Sequence, residues 1–346
     1  MDYRRLGRGD IEISAVCLGT MTWGEQNSEA EAFEQLDHAR TAGITFIDTA
    51  EMYPVAPRAE TYGRTEEIIG NWLTDRGGRD KTILATKVVG PGGRFAHVRD
   101  GKPRLNRAHI TAALDASLKR LRTDYVDLYQ LHWPDRAGRA FGALGYDPDP
   151  EADETPIEET LGVLDDLVRA GKIRTIGLSN ETPWGAMRFL GLAEAGRGPR
   201  IVSIQNPYSL LNRSFEMRLA EVAMRESCGL LAYAPLGAGT LTGKYLDGQK
   251  PAGARMTLWP DNTRYQGRQA EAAVAAYVGL ARENDLDPAQ MALAFVLSRP
   301  FLTAAIIGAT TMDQLRDNIA ATEVSLSKDV VAGIEKIHKV YTYPCP

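Results

Sequence analysis

Eight short apolar runs recur along this chain, each ending in polar residues. They are ISAVCLG (13–19), TFIDT (45–49), TILATKVV (82–89), YVDLYQLHW (125–133), IRTIGLSN (173–180), IVSIQNP (201–207), LLAYAPL (230–236) and TAAIIGA (303–309). Their β-branched, nearly continuous apolar character suits strands covered on both faces, as in a parallel sheet. Helical patterns lie between them. In 109–122, Ile110, Leu114, Leu118 and Leu121 fall four, four and three residues apart, which is one face of a helix. In 155–171, Thr155 is placed to cap, Pro156 fits the first turn, and Glu158 is placed to reach back to the Thr155 amide. Gly171 supplies a left-handed stop. Segments 214–227, 269–283 and 287–298 also read as helices.

Eight strands alternating with helices imply a right-handed, parallel α/β fold. A closed (β/α)8 TIM barrel spanning residues 1–346 as one domain is the economical solution, because eight strands close without leaving an edge. An open doubly wound sheet usually announces itself with GxGxxG after the first strand. Here the first strand leads into GTMTWGEQ (19–26) instead. The opening DYRRLGRGDIEIS (2–14) reads as a small hairpin plugging one barrel end. Two long loops, 90–106 and 134–154, are rich in Gly, Pro and charge. Both follow strands, so in a barrel both lie on the active-site face.

Composition narrows the function classes. With 44% hydrophobic and 25% charged residues over 346 positions, the chain has ample material for a large core. A net charge of −5, mixed in sign, does not suggest a nucleic-acid surface. The three cysteines, Cys17, Cys228 and Cys345, form no CxxC, which favours a reducing compartment over a disulfide framework. Cys17 and Cys228 read as packing residues, and Cys345, near the terminus, is expected to be exposed and oxidisable. The charged N-terminus is not read as a signal peptide, and no apolar stretch approaches about 18 residues. A cytoplasmic protein without a membrane span is the expectation. No HxH, HExxH or spaced acid–histidine pattern occurs, so no metal site is expected. GAGTLTGKY (237–245) departs from a P-loop at Ala238 and Tyr245.

The polar residues at the strand C-termini are Asp48, Lys87, His132, Ser179, Asn180, Gln205, Asn206 and Tyr233. A parallel barrel brings these ends to one mouth, and Tyr53, in the loop past Asp48, can lean over it. Singly, most have plain structural readings: Asp48 as a strand-end acid, Tyr233 as core, Ser179–Asn180 as a cap for the helix at TPWGAM. Lys87 is less easily dismissed, because lysine is rarely buried unless paired.

Together with their flanking motifs these residues resemble the aldo-keto reductase superfamily. The matching stretches are GTMTWG (19–24), DTAEMY (48–53), LATK (84–87), LHWPD (131–135), GLSN (177–180), QNPYSLLNR (205–213), AYAPLGAGTLTGKY (232–245) and IIGATTMDQLRDNI (306–319). The pattern, with RYQG (264–267) and VYTYPCP (340–346), most resembles the bacterial Tas-like branch, related to the potassium-channel β-subunit branch. The resemblance implies NADPH-dependent reduction of an aldehyde or ketone, with Asp48, Tyr53, Lys87 and His132 as the catalytic four. It assigns cofactor contacts to Gly19, Thr20, Met21, Asp48, Ser179, Asn180 and Gln205, and to Tyr233, Ala234, Pro235, Leu236 and Gly237. Lys244 and Arg255, together with Gly308, Thr310, Gln314, Asp317 and Asn318, complete that set. Gln314 stands where many members of the superfamily carry an arginine for the 2′-phosphate; Lys244 and Arg255 match the channel-like alternative.

The physics supports these roles. A hydride arriving at a carbonyl carbon leaves charge on oxygen, which must be protonated. Tyrosine is a protonated donor at neutral pH, and a neighbouring Lys87 ammonium is expected to lower its pKa. Asp48 would balance that lysine, and His132 would hydrogen-bond the carbonyl oxygen. Trp23, Met52, Tyr53, His132 and Trp133 are expected to line the substrate site, favouring apolar carbonyls. Arg94, Arg99, Lys102, Arg104 and Arg107, in or beside the first long loop, read as solvated charge. The alternative function is an NADPH-binding sensor or regulatory protein with little turnover.

Overall fold

The computed structural model describes residues 1–92, 96–136, 145–146, 149–261 and 263–345; Arg94 lies outside them. Two short strands, β1 (Tyr3–Arg5) and β2 (Glu12–Ser14), pair antiparallel with Tyr3 opposite Ser14. Eight parallel strands then close into a barrel: β3 (Val16–Gly19), β4 (Phe46–Asp48), β5 (Ile83–Val88), β6 (Val126–Leu131), β7 (Ile173–Ser179), β8 (Ile201–Pro207), β9 (Gly229–Tyr233) and β10 (Leu302–Ile307). They pair in chain order, and β10 closes back onto β3. This is the (β/α)8 architecture that the alternating runs imply.

The helices that cover the barrel or its ends are α1 (Glu29–Thr41), α2 (Arg64–Arg76), α3 (Arg107–Leu121), α4 (Ile157–Arg169), α5 (Pro183–Glu194), α6 (Leu219–Glu226), α7 (Arg255–Leu258), α8 (Arg268–Glu283), α9 (Pro288–Leu297), α10 (Met312–Ala320) and α11 (Lys328–Val340). Among the described residues, no helix is long and apolar enough to cross a membrane. The main core fills the space between outward-facing strand residues such as Leu84, Val88, Tyr129 and Ile176 and the helices' inner faces. A second core lies inside the barrel. There the hairpin residues Leu6, Ile11 and Ile13 meet Cys17, Phe46, Ala85, Leu128, Val202, Leu231 and Ala304, so the hairpin plugs the end opposite the strand C-termini. Inward and outward residues alternate because strand side chains have period two.

Five local readings change. The run at 13–19 is two strands: Ile13 and Ser14 belong to β2, and the chain turns at Ala15 before β3 begins. Segment 214–227 is a single 3-10 turn, Ser214–Met217, followed by α6, with a break at Arg218 (φ −144°). Thr155 does not cap α4. Pro156 holds the cap position without a side-chain bond, while the Thr155 hydroxyl donates to Asp135 Oδ2 at 2.7 Å. Glu158 instead pairs with Arg188 on α5. Ser179–Asn180 does not cap α5 either; Thr182 does, accepting from Gly185 N at 3.2 Å. Cys345 is fully buried in the main core rather than exposed, beside Arg264 and Tyr265.

Candidate active site

Strand register delivers the polar set to the barrel mouth. Gly19 pairs with Asp48, Lys87 with Gln130, and Ser179 with Gln205. Ala85 and Leu128 face inward at the barrel's middle, so Lys87 and Gln130, two residues further along, face inward at its mouth. All of these side chains except Gly19, which has none, are buried.

Lys87 Nζ donates to Asp48 Oδ2 at 2.6 Å and to the Thr49 carbonyl at 2.8 Å, and lies 3.5 Å from the Tyr53 hydroxyl. The other Asp48 oxygen accepts from Gln205 Nε2 at 2.8 Å and Gln130 Nε2 at 3.1 Å. The carboxylate is therefore fully engaged, and the ammonium is charge-balanced where no water reaches it. His132 stands beside Tyr53 with ring centroids 5.9 Å apart, nearly edge-on. Its backbone N–H donates to Val88 O, while its buried Nδ1 has no hydrogen-bond partner. The mouth thus presents a phenol backed by an ammonium, with an imidazole alongside.

Burial and charge compete at each group. Burial pushes the Tyr53 hydroxyl above the usual phenol range, and Lys87 pulls it only part of the way back. The expectation of a net lowering does not hold, because desolvation of the phenolate outweighs the nearby ammonium. For Lys87 itself, burial works against the charge, but Asp48 and then Tyr53 outweigh it and raise the pKa. His132 is driven well below the usual imidazole value by burial and by Lys87, so it is neutral.

On the adjoining side, Ser179 Oγ donates to Gln205 O at 2.9 Å, and Asn180 Nδ2 donates to the His132 carbonyl at 2.9 Å. The Tyr233 hydroxyl donates to Asn180 Oδ1 at 2.7 Å and is also hydrogen-bonded by Arg264, a residue the sequence reading did not assign to the site. Thr20 Oγ1 donates to Asp48 O, and Asn318 Nδ2 to Gly308 O. Gln314 Oε1 accepts from the amide and hydroxyl of Thr310, bracing the turn into α10; Asp317 is exposed on that helix.

The chemistry of this side fits a phosphorylated dinucleotide. Ala234, Gly237, Ala238, Gly239 and Gly243 all take positive φ, which folds 234–243 into tight turns of the kind whose successive amides cradle anions. A Cβ at Gly239 would stand 3.0 Å from Lys244 Nζ, so the lysine lies across that loop. Burial lowers the pKa of both Lys244 and Arg255, and among the described residues neither is paired with a carboxylate. Two half-buried cations without counterions beside a glycine-rich turn suit phosphate.

The residues expected to line the substrate site do not all gather in one place. Met52 and Trp133 are part of an apolar cluster with Ala50, Val89 and Val98, and Tyr53, Val55 and Tyr62 pack against it. Trp23 is absent from it: its side chain is wholly buried in the main core, with Nε1 donating to Gln35 Oε1 at 3.1 Å. Nor are all the loop arginines solvated. Arg99 binds both oxygens of Glu51, and Arg104 Nε donates to Asp135 at 3.0 Å and its guanidinium also bonds Asp153. Arg107 and Lys102 are exposed, as expected. Glu51 and Gln130 escaped the sequence reading. Gln130 carried a signal, an uncharged polar residue in a strand run two positions before His132.

The chain matches the aldo/keto reductase family over residues 15–339. It is 56% identical over 346 residues, the full length of both chains, to Protein tas of Escherichia coli strain K12. It is 37% identical to the uncharacterized oxidoreductase YrpG of Bacillus subtilis strain 168, covering 97% of this chain and 96% of that one. A probable voltage-gated potassium channel subunit beta from Oryza sativa subsp. japonica is 30% identical, with 97% and 96% covered. A buried lysine–aspartate pair behind a tyrosine, at the mouth of an eight-stranded barrel, is thus carried by a chain that belongs to the aldo/keto reductase family and is an NADPH-dependent oxidoreductase of that class.

Proposed function

We propose that the protein reduces an apolar aldehyde or ketone to the alcohol, with Tyr53 as proton donor. The observation that carries this reading is Lys87 Nζ lying 2.6 Å from Asp48 and 3.5 Å from the Tyr53 hydroxyl in a buried site. The dinucleotide, when bound, supplies the hydride. Tyr53 gives its proton to the carbonyl oxygen as charge develops there, and Lys87 stabilises the phenolate left behind. Asp48 keeps Lys87 charged. Neutral His132 donates an N–H to the same oxygen and orients it. Ser179, Asn180 and Gln205 hold the carboxamide end of the cofactor, with Tyr233 against its ring. Met52 and Trp133 form the substrate wall.

The whole chain, residues 1–346, serves as one unit in this reading. The three buried cysteines, none in a disulfide, support a reducing compartment, and the cytoplasm is the one we propose. The test is NADPH consumption with a panel of aldehydes. Steady turnover is expected, and Tyr53→Phe should lower kcat by about 100-fold to 10,000-fold with NADPH still bound. Tight NADPH retention without turnover by the wild-type protein would instead identify a sensor.

A further inference from the structure

Glu51 lies between Asp48 and Tyr53 in sequence, yet the chemistry above gives it no task. Its carboxylate is 1% exposed and accepts four hydrogen bonds. Oε1 receives Val89 N at 2.6 Å and Arg99 Nη2 at 2.7 Å; Oε2 receives Arg99 Nη1 at 2.9 Å and the Tyr62 hydroxyl at 2.5 Å. Four bonds use up what a carboxylate can accept. The Glu51 backbone N–H donates to the Lys87 carbonyl at 3.2 Å.

These bonds join three segments. Lys87 lies at the end of β5, the strand that delivers the ammonium, and Val89 just past it. Tyr62 closes the far end of the loop that carries Tyr53, whose backbone is held by Tyr53 N to Ala50 O and Gly63 N to Tyr53 O. Arg99 comes from the first long loop, and its neighbour Val98 packs with Met52 and Trp133. Pulling out the carboxylate would remove the side-chain ties among these segments, freeing Arg99 and Tyr62 and leaving the backbone bonds Glu51 N to Lys87 O and Thr49 N to Ala85 O between the phenol's loop and the lysine's strand. A buried ion pair is a weak source of stability, because desolvation offsets the Coulomb attraction. Its placement across these three segments calls for another reason.

We propose that the Glu51–Arg99 pair is a positioning clasp: it fixes the loop of Tyr53 against the strand of Lys87 and holds Val98 in the substrate wall. Glu51 acts through Tyr53 and Lys87 rather than on the substrate. The inference rests on the proton-donor reading given under Proposed function.

The experiment measures NADPH oxidation with benzaldehyde as probe, and NADPH affinity separately by fluorescence titration without aldehyde. The variants are Glu51→Gln, Arg99→Met, Arg99→Lys, their Glu51→Gln/Arg99→Met combination, and Tyr53→Phe. A misplaced donor costs up to about 100-fold in rate. Glu51→Gln and Arg99→Met should each lower kcat by about tenfold to 100-fold while NADPH affinity changes by less than about threefold. The double variant should lose no more than the worse single one, and Arg99→Lys should recover part of the loss. Arg99 reaches solvent at its edge, so Arg99→Met carries the test if Glu51→Gln is insoluble. Folded variants with kcat within about twofold of wild type, or a loss confined to NADPH affinity, overturn the clasp. If Tyr53→Phe retains full activity, it is the donor reading that falls, and the clasp with it.

Discussion

Lys87 carries its charge at a fully buried site, and Asp48 at 2.6 Å is what makes that tolerable. Removing either partner alone strands the other. Lys87→Met and Asp48→Asn should each destabilise the fold by about 3–5 kcal/mol, read from urea unfolding, and abolish turnover. The Lys87→Met/Asp48→Asn double variant should regain most of the stability and none of the activity, separating the structural from the chemical role of the pair. His132 makes a second prediction, with a definite sign. Its pKa is depressed by burial and by Lys87, so below about pH 6.5 the unfolded chain takes up a proton that the folded one refuses. Its contribution to stability is full above that pH and declines as pH falls towards the folded-state value, with a slope of up to about 1.4 kcal/mol per pH unit. The stability difference between wild type and His132→Gln should therefore vary with pH below about 6.5 and level off above it. At this scale the sequence revealed the residue types, because strand-end polar groups are visible in an apolar run. It concealed the net direction of the Tyr53 shift, since the desolvation that decides it comes from segments distant in the chain.

Elements were legible in their existence and less so in their ends. Thr155, Pro156 and Glu158 carry a local capping pattern, but Asp135, twenty residues earlier, takes the threonine hydroxyl for itself. Asp135 also accepts from Leu105 N at 2.7 Å and Arg104 Nε at 3.0 Å, so one carboxylate ties the start of the second long loop to the end of the first. Asp135→Ala should cost about 3 kcal/mol or more, because it takes the acceptor from Leu105 N and from the Thr155 amide and hydroxyl and leaves Arg104 with Asp153 as its one carboxylate partner among the described residues, and chemical denaturation would read the loss. The helix layer offers a paired check. A Cβ at Gly70 in α2 would stand 2.1 Å from the Arg120 carbonyl oxygen, so α2 and the end of α3 approach at a distance only glycine allows. Gly279 in α8 has nothing within 4 Å of the same position. Both lie in helix interiors where alanine is favoured by about 0.5–1 kcal/mol. Gly279→Ala should therefore raise the melting temperature, whereas Gly70→Ala should lower it by forcing the helices apart, at a cost of about 1–3 kcal/mol or more.

At the scale of the molecule, the barrel was readable because each strand must be apolar on both faces and eight such runs leave no economical alternative. The plug at its base was readable from the polar, turn-rich opening. What could not be read was where each loop group goes: Arg99 turns in to Glu51 while Lys102 stays exposed, and Trp23 enters the main core while Trp133 joins the cluster around Met52, through contacts made only after folding. Cofactor selectivity depends on the same distinction. Gln314 is uncharged and spends its oxygen on Thr310, and Arg316, the arginine of α10, is paired with Asp313, so the helix offers no unpaired side-chain cation for a 2′-phosphate. Lys244, just past the glycine-rich turn, and Arg255, at the start of α7, are partly desolvated, with no carboxylate partner among the described residues. Holding two such charges apart from counterions is unfavourable in the free protein, and an anionic phosphate would relieve it. NADH lacks that phosphate, so truncating the cations should weaken NADPH and leave NADH nearly unchanged. Lys244→Ala and Arg255→Ala should each reduce NADPH affinity by about tenfold, a loss of about 1.4 kcal/mol, with the NADPH to NADH affinity ratio falling by the same factor. Titrations of both dinucleotides at several salt concentrations would read this, and the salt dependence of NADPH binding should flatten in each variant. Equal losses for the two dinucleotides would mean that these side chains serve the pyrophosphate both share, and selectivity would then have to reside elsewhere in the loop.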